Sequence, residues 1–264
     1  MSEPNNITEL DLADLARAKK LLENPGFIAK AADAVGTPIE KLLRALPERA
    51  STAIQTATRT ALERALKVAV ATLGGKSGHE PSNIWHKVAV VATGAAGGAF
   101  GLASLPIELP VSTTIMLRSV ADIARSKGED LRTPEATLAC IEVFALGATT
   151  KDDAAESAYY AVRIALARSV SEAAEYLAGK AAIEEGAPAI VRLIATVAER
   201  FGVVVAEKAA AGLVPILGAV GGAAINVAFM DHFQDTAEGH FTVRNLERKY
   251  GTELVRAAYD KLPR

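Results

Sequence analysis

Cysteine is nearly missing from this chain, with Cys140 its sole example. A lone cysteine excludes an intrachain disulfide and any paired-thiol redox or zinc motif. It suits a reducing compartment, so a cytoplasmic location is expected. Aromatic residues make up only 5% of the chain, and alanine supplies much of the apolar count. Alanine has the best helix propensity and little bulk, which predicts closely spaced helices rather than a thick aliphatic core. Neither sign of charge dominates: 29 basic and 31 acidic residues leave a net charge of −2. There is no basic stripe of the kind duplex nucleic acids require, so no nucleic-acid partner is expected. No run alternates apolar and polar residues long enough to predict a strand. The chain carries no G-x-S-x-G elbow, P-loop, H-E-x-x-H or Glu-x-x-His pair, so no catalytic residue and no cofactor is assigned. The first residues, MSEPNNITELDLADLARAKK, lack the pattern of a secretory signal or a lipidation motif.

What the chain has in quantity is small apolar sequence. Residues 88–107, VAVVATGAAGGAFGLASLPI, and 209–230, AAAGLVPILGAVGGAAINVAFM, are uncharged and rich in glycine and alanine. Each is near the roughly 20 residues that a helix needs to cross a bilayer, and each carries the small-xxx-small spacing that lets helix backbones approach. Both contain proline and neither is dense in leucine, isoleucine or phenylalanine, which argues against spanning. A closed helical core and a reversible contact with lipid both fit this composition. Trp85-His86-Lys87 at the entry to the first stretch has the character of an interfacial anchor or of a core-edge tryptophan.

The fold class read from these patterns is all-α, a compact helical bundle with the two Gly/Ala-rich segments at its centre. Thr8 is placed to cap a first helix. Thr37-Pro38-Ile39-Glu40 reads as a capping box opening a short helix that stops at Pro47. An alanine-rich helix is expected over 48–73, before Gly74-Gly75. The linker GGKSGHEPSN (74–83) separates an N-terminal helical extension (1–75) from a main helical domain (76–264), the two forming one folded unit. Further on, a break is expected at 105–110, followed by a helix to about Lys127. Thr133-Pro134-Glu135 starts another that ends near Gly147. One or two polar-faced helices follow over 151–185, with a break near Ser169. Pro188 starts a helix to about Arg200, and the second stretch continues as a helix to Gly239. Two short helices, 242–250 and 252–261, finish the chain around Gly251.

Two polar places stand out. Glu108, between Pro106 and Pro110, needs a partner if buried, and Arg118 on the following helix is the candidate. Asp122, one turn beyond Arg118, is placed to pair with it. Behind the second apolar stretch come Asn226, Asp231, His232, Asp235, Glu238 and His240. Asp231, Asp235 and His240 are suitable ligand types for a divalent metal or for acid–base work. The stripe Phe229, Phe233, Ala237 leaves the acids on another face, which favours a solvated or ion-paired surface. Cys140, among Ala139, Ile141 and Val143, reads as a packed thiol.

Two blocks, LPIELPVSTTIMLRSVADIARSKGEDL with EATLACIEVFALG, and VPILGAVGGAAINVAFMDHFQDTAEGHFTVRNLERKYG, resemble the signatures of the EcsC family in order, spacing and residue type. The resemblance covers 61–259. It rests on Gly94, Gly98, Pro106, Pro110, Leu117, Arg118, Glu142 and Phe144 in the first block. In the second it rests on Pro215, Gly218, Gly221, Gly222, Asn226 and Phe229, then on His240, Phe241, Arg244, Leu246, Glu247 and Gly251. It implies a mostly helical bacterial protein of a family named for a member encoded beside components of an ABC transporter. No activity is established for that family, so it brings no catalytic residues. The polar positions it singles out are Arg118, Glu142, Asn226, His240, Arg244 and Glu247. The candidate binding residues are Glu108, Arg118, Glu142, Asn226, His240 and Arg244. The expectation is a non-enzymatic, membrane-associated or transporter-accessory protein that meets membrane lipid or a membrane protein at the inner face of the membrane. The rival expectations are a hydrolase or metal-dependent enzyme using Asp231, Asp235 and His240, and a helical protein-interaction scaffold.

Overall fold

Every residue from 136 to 146 is buried, on all faces of one short helix. A helix apolar all round belongs in the middle of a structure, and the computed structural model places it there. The structure describes residues 7–23, 39–44, 46–73, 105–148, 158–178, 180, 183–184, 186–212 and 221–263. Among them it has nine helices and no strand. These are α1 (Glu9–Leu22), α2 (Ile39–Arg44), α3 (Glu48–Thr72), α4 (Leu105–Ser126), α5 (Pro134–Leu146), α6 (Ala158–Ala178), α7 (Pro188–Ala211), α8 (Gly221–Tyr250) and α9 (Thr252–Lys261). The buried helix is α5, and α3, α4, α6, α7 and α8 all pack on it. Outside this shell, α1 lies on α8 and α9, and α2 lies on α7.

Local chemistry sets several boundaries where the sequence places them. Thr8 caps α1, its hydroxyl accepting from the Asp11 amide at 3.2 Å. Thr133 caps α5 by accepting from the Ala136 amide at 3.3 Å, Pro134 follows at the first position, and Gly147 ends the helix. Gly251, at φ 88°, supplies the left-handed turn between α8 and α9.

Elsewhere the helices run through the expected breaks. Pro106 and Pro110 lie inside α4, which begins at Leu105. Pro106 occupies the first turn, where an amide has no intrahelical partner, so only Pro110 removes a bond. Ser169 lies within an unbroken α6. The helix α7 continues past Arg200 to Ala211, and the Arg200 side chain turns toward α5. Its guanidinium donates to the carbonyls of Ala145 and Ala148 at 3.0 and 2.8 Å, capping the end of α5. Gly239 lies in mid-α8, where a Cβ would sit 2.7 Å from Leu22 Cγ and 3.0 Å from the Ala18 carbonyl oxygen. It is a crossing point for α1, so the expected stop at Gly239 and the separate helix over 242–250 are one continuous helix. The capping box at Thr37-Pro38, the end at Gly74-Gly75, Trp85-His86-Lys87, most of the first Gly/Ala-rich stretch and residues 213–220 of the second lie outside the described residues.

The N-terminal helices share the common core. Leu15 and Ala18 of α1 and Ile54, Ala61 and Leu66 of α3 join one apolar cluster with Phe144, Phe201, Phe229 and Phe233. Phe144 stands 5.0 Å from Phe201 and 5.3 Å from Phe233 between ring centroids, a tilted geometry favoured by aromatic quadrupoles.

Candidate functional site

Burying polar groups is costly unless they find partners, and this fold buries a chain of them between α5, α6 and α8. Glu247 of α8 accepts a two-pronged bond from Arg163 of α6, at 2.8 and 3.0 Å, and a third bond from the Tyr160 hydroxyl at 3.1 Å. Arg163 Nη1 also donates to the Tyr159 hydroxyl oxygen at 3.3 Å. The Tyr159 hydroxyl lies 2.9 Å from His240 Nδ1. An arginine only donates, so Tyr159 accepts from Arg163; donation of the Tyr159 proton to His240 Nδ1 is the direction that leaves no buried hydroxyl proton unused. In that direction the His240 proton sits on Nε2, which faces the Glu142 carboxyl of α5 across 3.8 Å. That gap is too long for a hydrogen bond, and Nε2 is without a partner.

The electrostatics follow from burial. His240 is fully buried and its pKa is held well below the ordinary 6.5, first by burial and then by Arg163 and Arg244. Burial pushes the Glu142 carboxyl up, against the pull of Arg244 and Arg163. Burial thus favours the uncharged form of both groups. On the next turns of α8, Arg244 makes a two-pronged pair with Glu129 at 2.8 and 3.1 Å, and Arg248 joins the same carboxylate. Arg248 and Asn245 also donate to the Lys127 carbonyl, tying α8 to the turn after α4. Arginine and carboxylate thus use one another up, and the imidazole faces a carboxyl rather than a cleft. Such an arrangement orients three helices.

A second polar place sits at one end of the fold. Glu108, in the first turn of α4, meets Lys208, in the last turn of α7, at 2.6 Å. Both side chains are largely buried, and Lys208 Nζ lies 4.8 Å from the centre of the Phe229 ring in the third turn of α8. Burial lowers the Lys208 pKa, while Glu108 acts to raise it. An acid at a helix start and a base at a helix end also suit the two helix dipoles. Beside this pair, Ile107 is 77% exposed and Val111, one turn on, is 40% exposed.

The structure thus brings Glu142, His240, Arg244 and Glu247 together and leaves the others apart. Glu108 pairs with Lys208 in place of Arg118, which is exposed. Asp122 pairs with Arg125 at 3.1 Å in place of Arg118. Asn226 is buried on α8 but precedes His240 by 14 positions, about 21 Å of helix. At roughly 100° per residue, His240 lies about 180° around α8 from Asp231 and about 140° from Asp235, so the three do not share a face. Among the described residues no group of three His, Cys, Asp or Glu side chains is placed to hold a metal ion. The Cys140 thiol is fully buried with its pKa pushed up by burial, the reverse of an activated nucleophile. Sequence reasoning missed Tyr159, Tyr160, Arg163 and Glu129. The available signal was the adjacent tyrosine pair with an arginine one turn on, in a chain with only five tyrosines.

No curated protein and no solved structure matches the chain. The EcsC protein family model matches residues 12–246 and so takes in α1 to α3, which the sequence signatures leave largely outside. With a match that spans most of its length, the chain belongs to the EcsC protein family.

Proposed function

We propose that this chain is a non-enzymatic accessory protein that makes a peripheral contact with a membrane, through lipid or a membrane protein, at the end of the fold marked by Lys208 and Glu108. The observation that carries the reading is the convergence there of α4, α7 and α8. The first Gly/Ala-rich stretch leads into α4, and the second connects α7 to α8, so both join the described fold at this one end. Exposed Ile107 and Val111 lie beside the junction, apolar surface of the kind that marks an interaction site. Among the described residues no helix is long and apolar enough to cross a membrane, so the contact proposed lies at the surface, on the cytoplasmic face. The acid–base and metal readings draw no support from the positions of Asp231, Asp235 and His240 around α8.

Vesicle flotation tests the reading. The purified chain is expected to float with phosphatidylglycerol-containing vesicles and to stay bound at high salt, because apolar burial is not screened. The double variant Ile107→Asp/Val111→Asp is expected to remain at the bottom of the gradient with its helical spectrum unchanged. Wild-type chain that ignores both neutral and anionic vesicles contradicts direct lipid contact.

A further inference from the structure

Between α3 and α7, with the end of α2 closing one side, lies a groove of about 670 Å³. That volume falls within the range of small-molecule sites. Its apolar lining includes Leu43, Leu46, Ile54 and Val203. The α7 wall includes Ala198, Gly202 and Ala206, whose small or absent side chains leave the space open. One rim carries Ser51, Gln55 and Arg59, each a turn apart on α3, and Glu199 stands on the α7 side. Arg59 is half-exposed and bonds Glu63 through Nε alone, at 3.0 Å, leaving its Nη edge for a second acceptor. The surrounding surface has the same sign. Among the described side chains of α2 and α3, six are cationic (Lys41, Arg44, Arg49, Arg59, Arg64, Lys67) and Glu63 is anionic, in a chain of net charge −2.

An apolar trough with a donor-lined, cationic rim has the polarity of one class of ligand. We propose that the groove binds a single-chain anionic amphiphile, its alkyl chain between Ile54 and Gly202 and its carboxylate at Arg59. The α7 wall from Ala195 to Ala206 is about 16 Å long, a length suited to a medium alkyl chain. This site is separate from the end that carries Lys208 and Glu108, and it requires no membrane.

Calorimetric titration of the full chain with dodecanoate, below its micelle concentration and without vesicles, tests the proposal. Saturable one-to-one binding is expected, with dodecyltrimethylammonium, which has a comparable tail and the opposite charge, bound far more weakly. A Cβ on Gly202 would meet no atom within 4 Å, so Gly202→Leu fills the groove without disturbing the fold. That variant is expected to melt no lower than the wild type, since a mid-helix glycine is replaced by a better helix former, and to lose about tenfold or more in affinity. Arg59→Gln is expected to weaken dodecanoate about fivefold, and Glu199→Gln to strengthen it by removing a like charge. The proposal is overturned by an absence of saturable binding, by equal binding of the cationic probe, or by a Gly202→Leu chain that binds as the wild type does. Weaker dodecanoate binding in Glu199→Gln also overturns it and points to a basic helix as the occupant. Flotation is read separately, so failure here leaves the membrane contact standing, and the reverse holds as well.

Discussion

At the scale of single residues, the pair His240 and Glu142 gives the stability of this protein a pH dependence with two opposed parts. The His240 pKa is depressed in the fold, so the stability linked to it is complete above pH 6.5 and is lost as the pH falls below that value. The Glu142 pKa is raised, so its contribution is complete below pH 4.5 and is lost as the pH rises through the raised value. The two offset one another in mildly acid solution, and single variants separate them. Glu142→Gln is expected to lose stability below pH 6.5 with a slope approaching about 1 kcal/mol per pH unit. His240→Gln is expected to gain stability as the pH falls toward 4.5. Urea denaturation at a series of pH values measures both slopes. Slopes of the same sign in the two variants would show that the groups do not titrate as their burial requires. The sequence made His240, Glu142, Arg244 and Glu247 legible as positions of interest, because they matched a family pattern. It did not make Tyr159 and Arg163 legible, since they reach α8 across more than 80 positions of chain. Arg118 belongs to the same pattern yet lies exposed, so a pattern of residue types does not by itself identify a cluster.

At the scale of the helix, starts were easier to read than ends. A start is declared by a cap, as at Thr8 and Thr133, where a side chain satisfies an amide a few residues ahead. Glycine, proline and charge are weaker signs, because tertiary contacts give them other uses. Arg200 serves as a cap for a different helix, and Gly239 makes room for α1. At Gly239 the two effects of substitution oppose each other, which makes a sharp prediction. Alanine in mid-helix gains up to about 1 kcal/mol in propensity. Its Cβ would push into Leu22 Cγ at 2.7 Å and the Ala18 carbonyl at 3.0 Å, and the backbone carbonyl cannot yield as a flexible side chain does. Overpacking of this kind costs about 1 to 3 kcal/mol, so Gly239→Ala is expected to be less stable than wild type by about 1 kcal/mol. Thermal denaturation checks it. A variant more stable than wild type would mean that α1 does not hold its crossing position on α8.

At the scale of the whole molecule, the all-α class follows from composition, and the arrangement follows from where burial is continuous. Among the described residues α5 holds the middle, with five helices packed around it. The stretch around α5, EATLACIEVFAL, reads as an ordinary apolar helix, and only the packing of its neighbours shows that all its faces are covered. The division at residue 75 reflects loop composition, while α1 and α3 contribute to the same core as the later helices. The functional account rests on the opposite end of the argument, at the junction of Lys208, Glu108 and Phe229. Because Cys140 is fully buried, a cysteine introduced at the surface can be labelled alone. The most direct measurement is therefore the emission of an environment-sensitive nitrobenzoxadiazole label on Ile107→Cys, compared with the same label on Ile164→Cys, an exposed position on α6. On adding phosphatidylglycerol-containing vesicles, the account predicts a blue shift and stronger emission at 107 and no change at 164. No change at 107, or equal shifts at both positions, would contradict contact through that end of the fold.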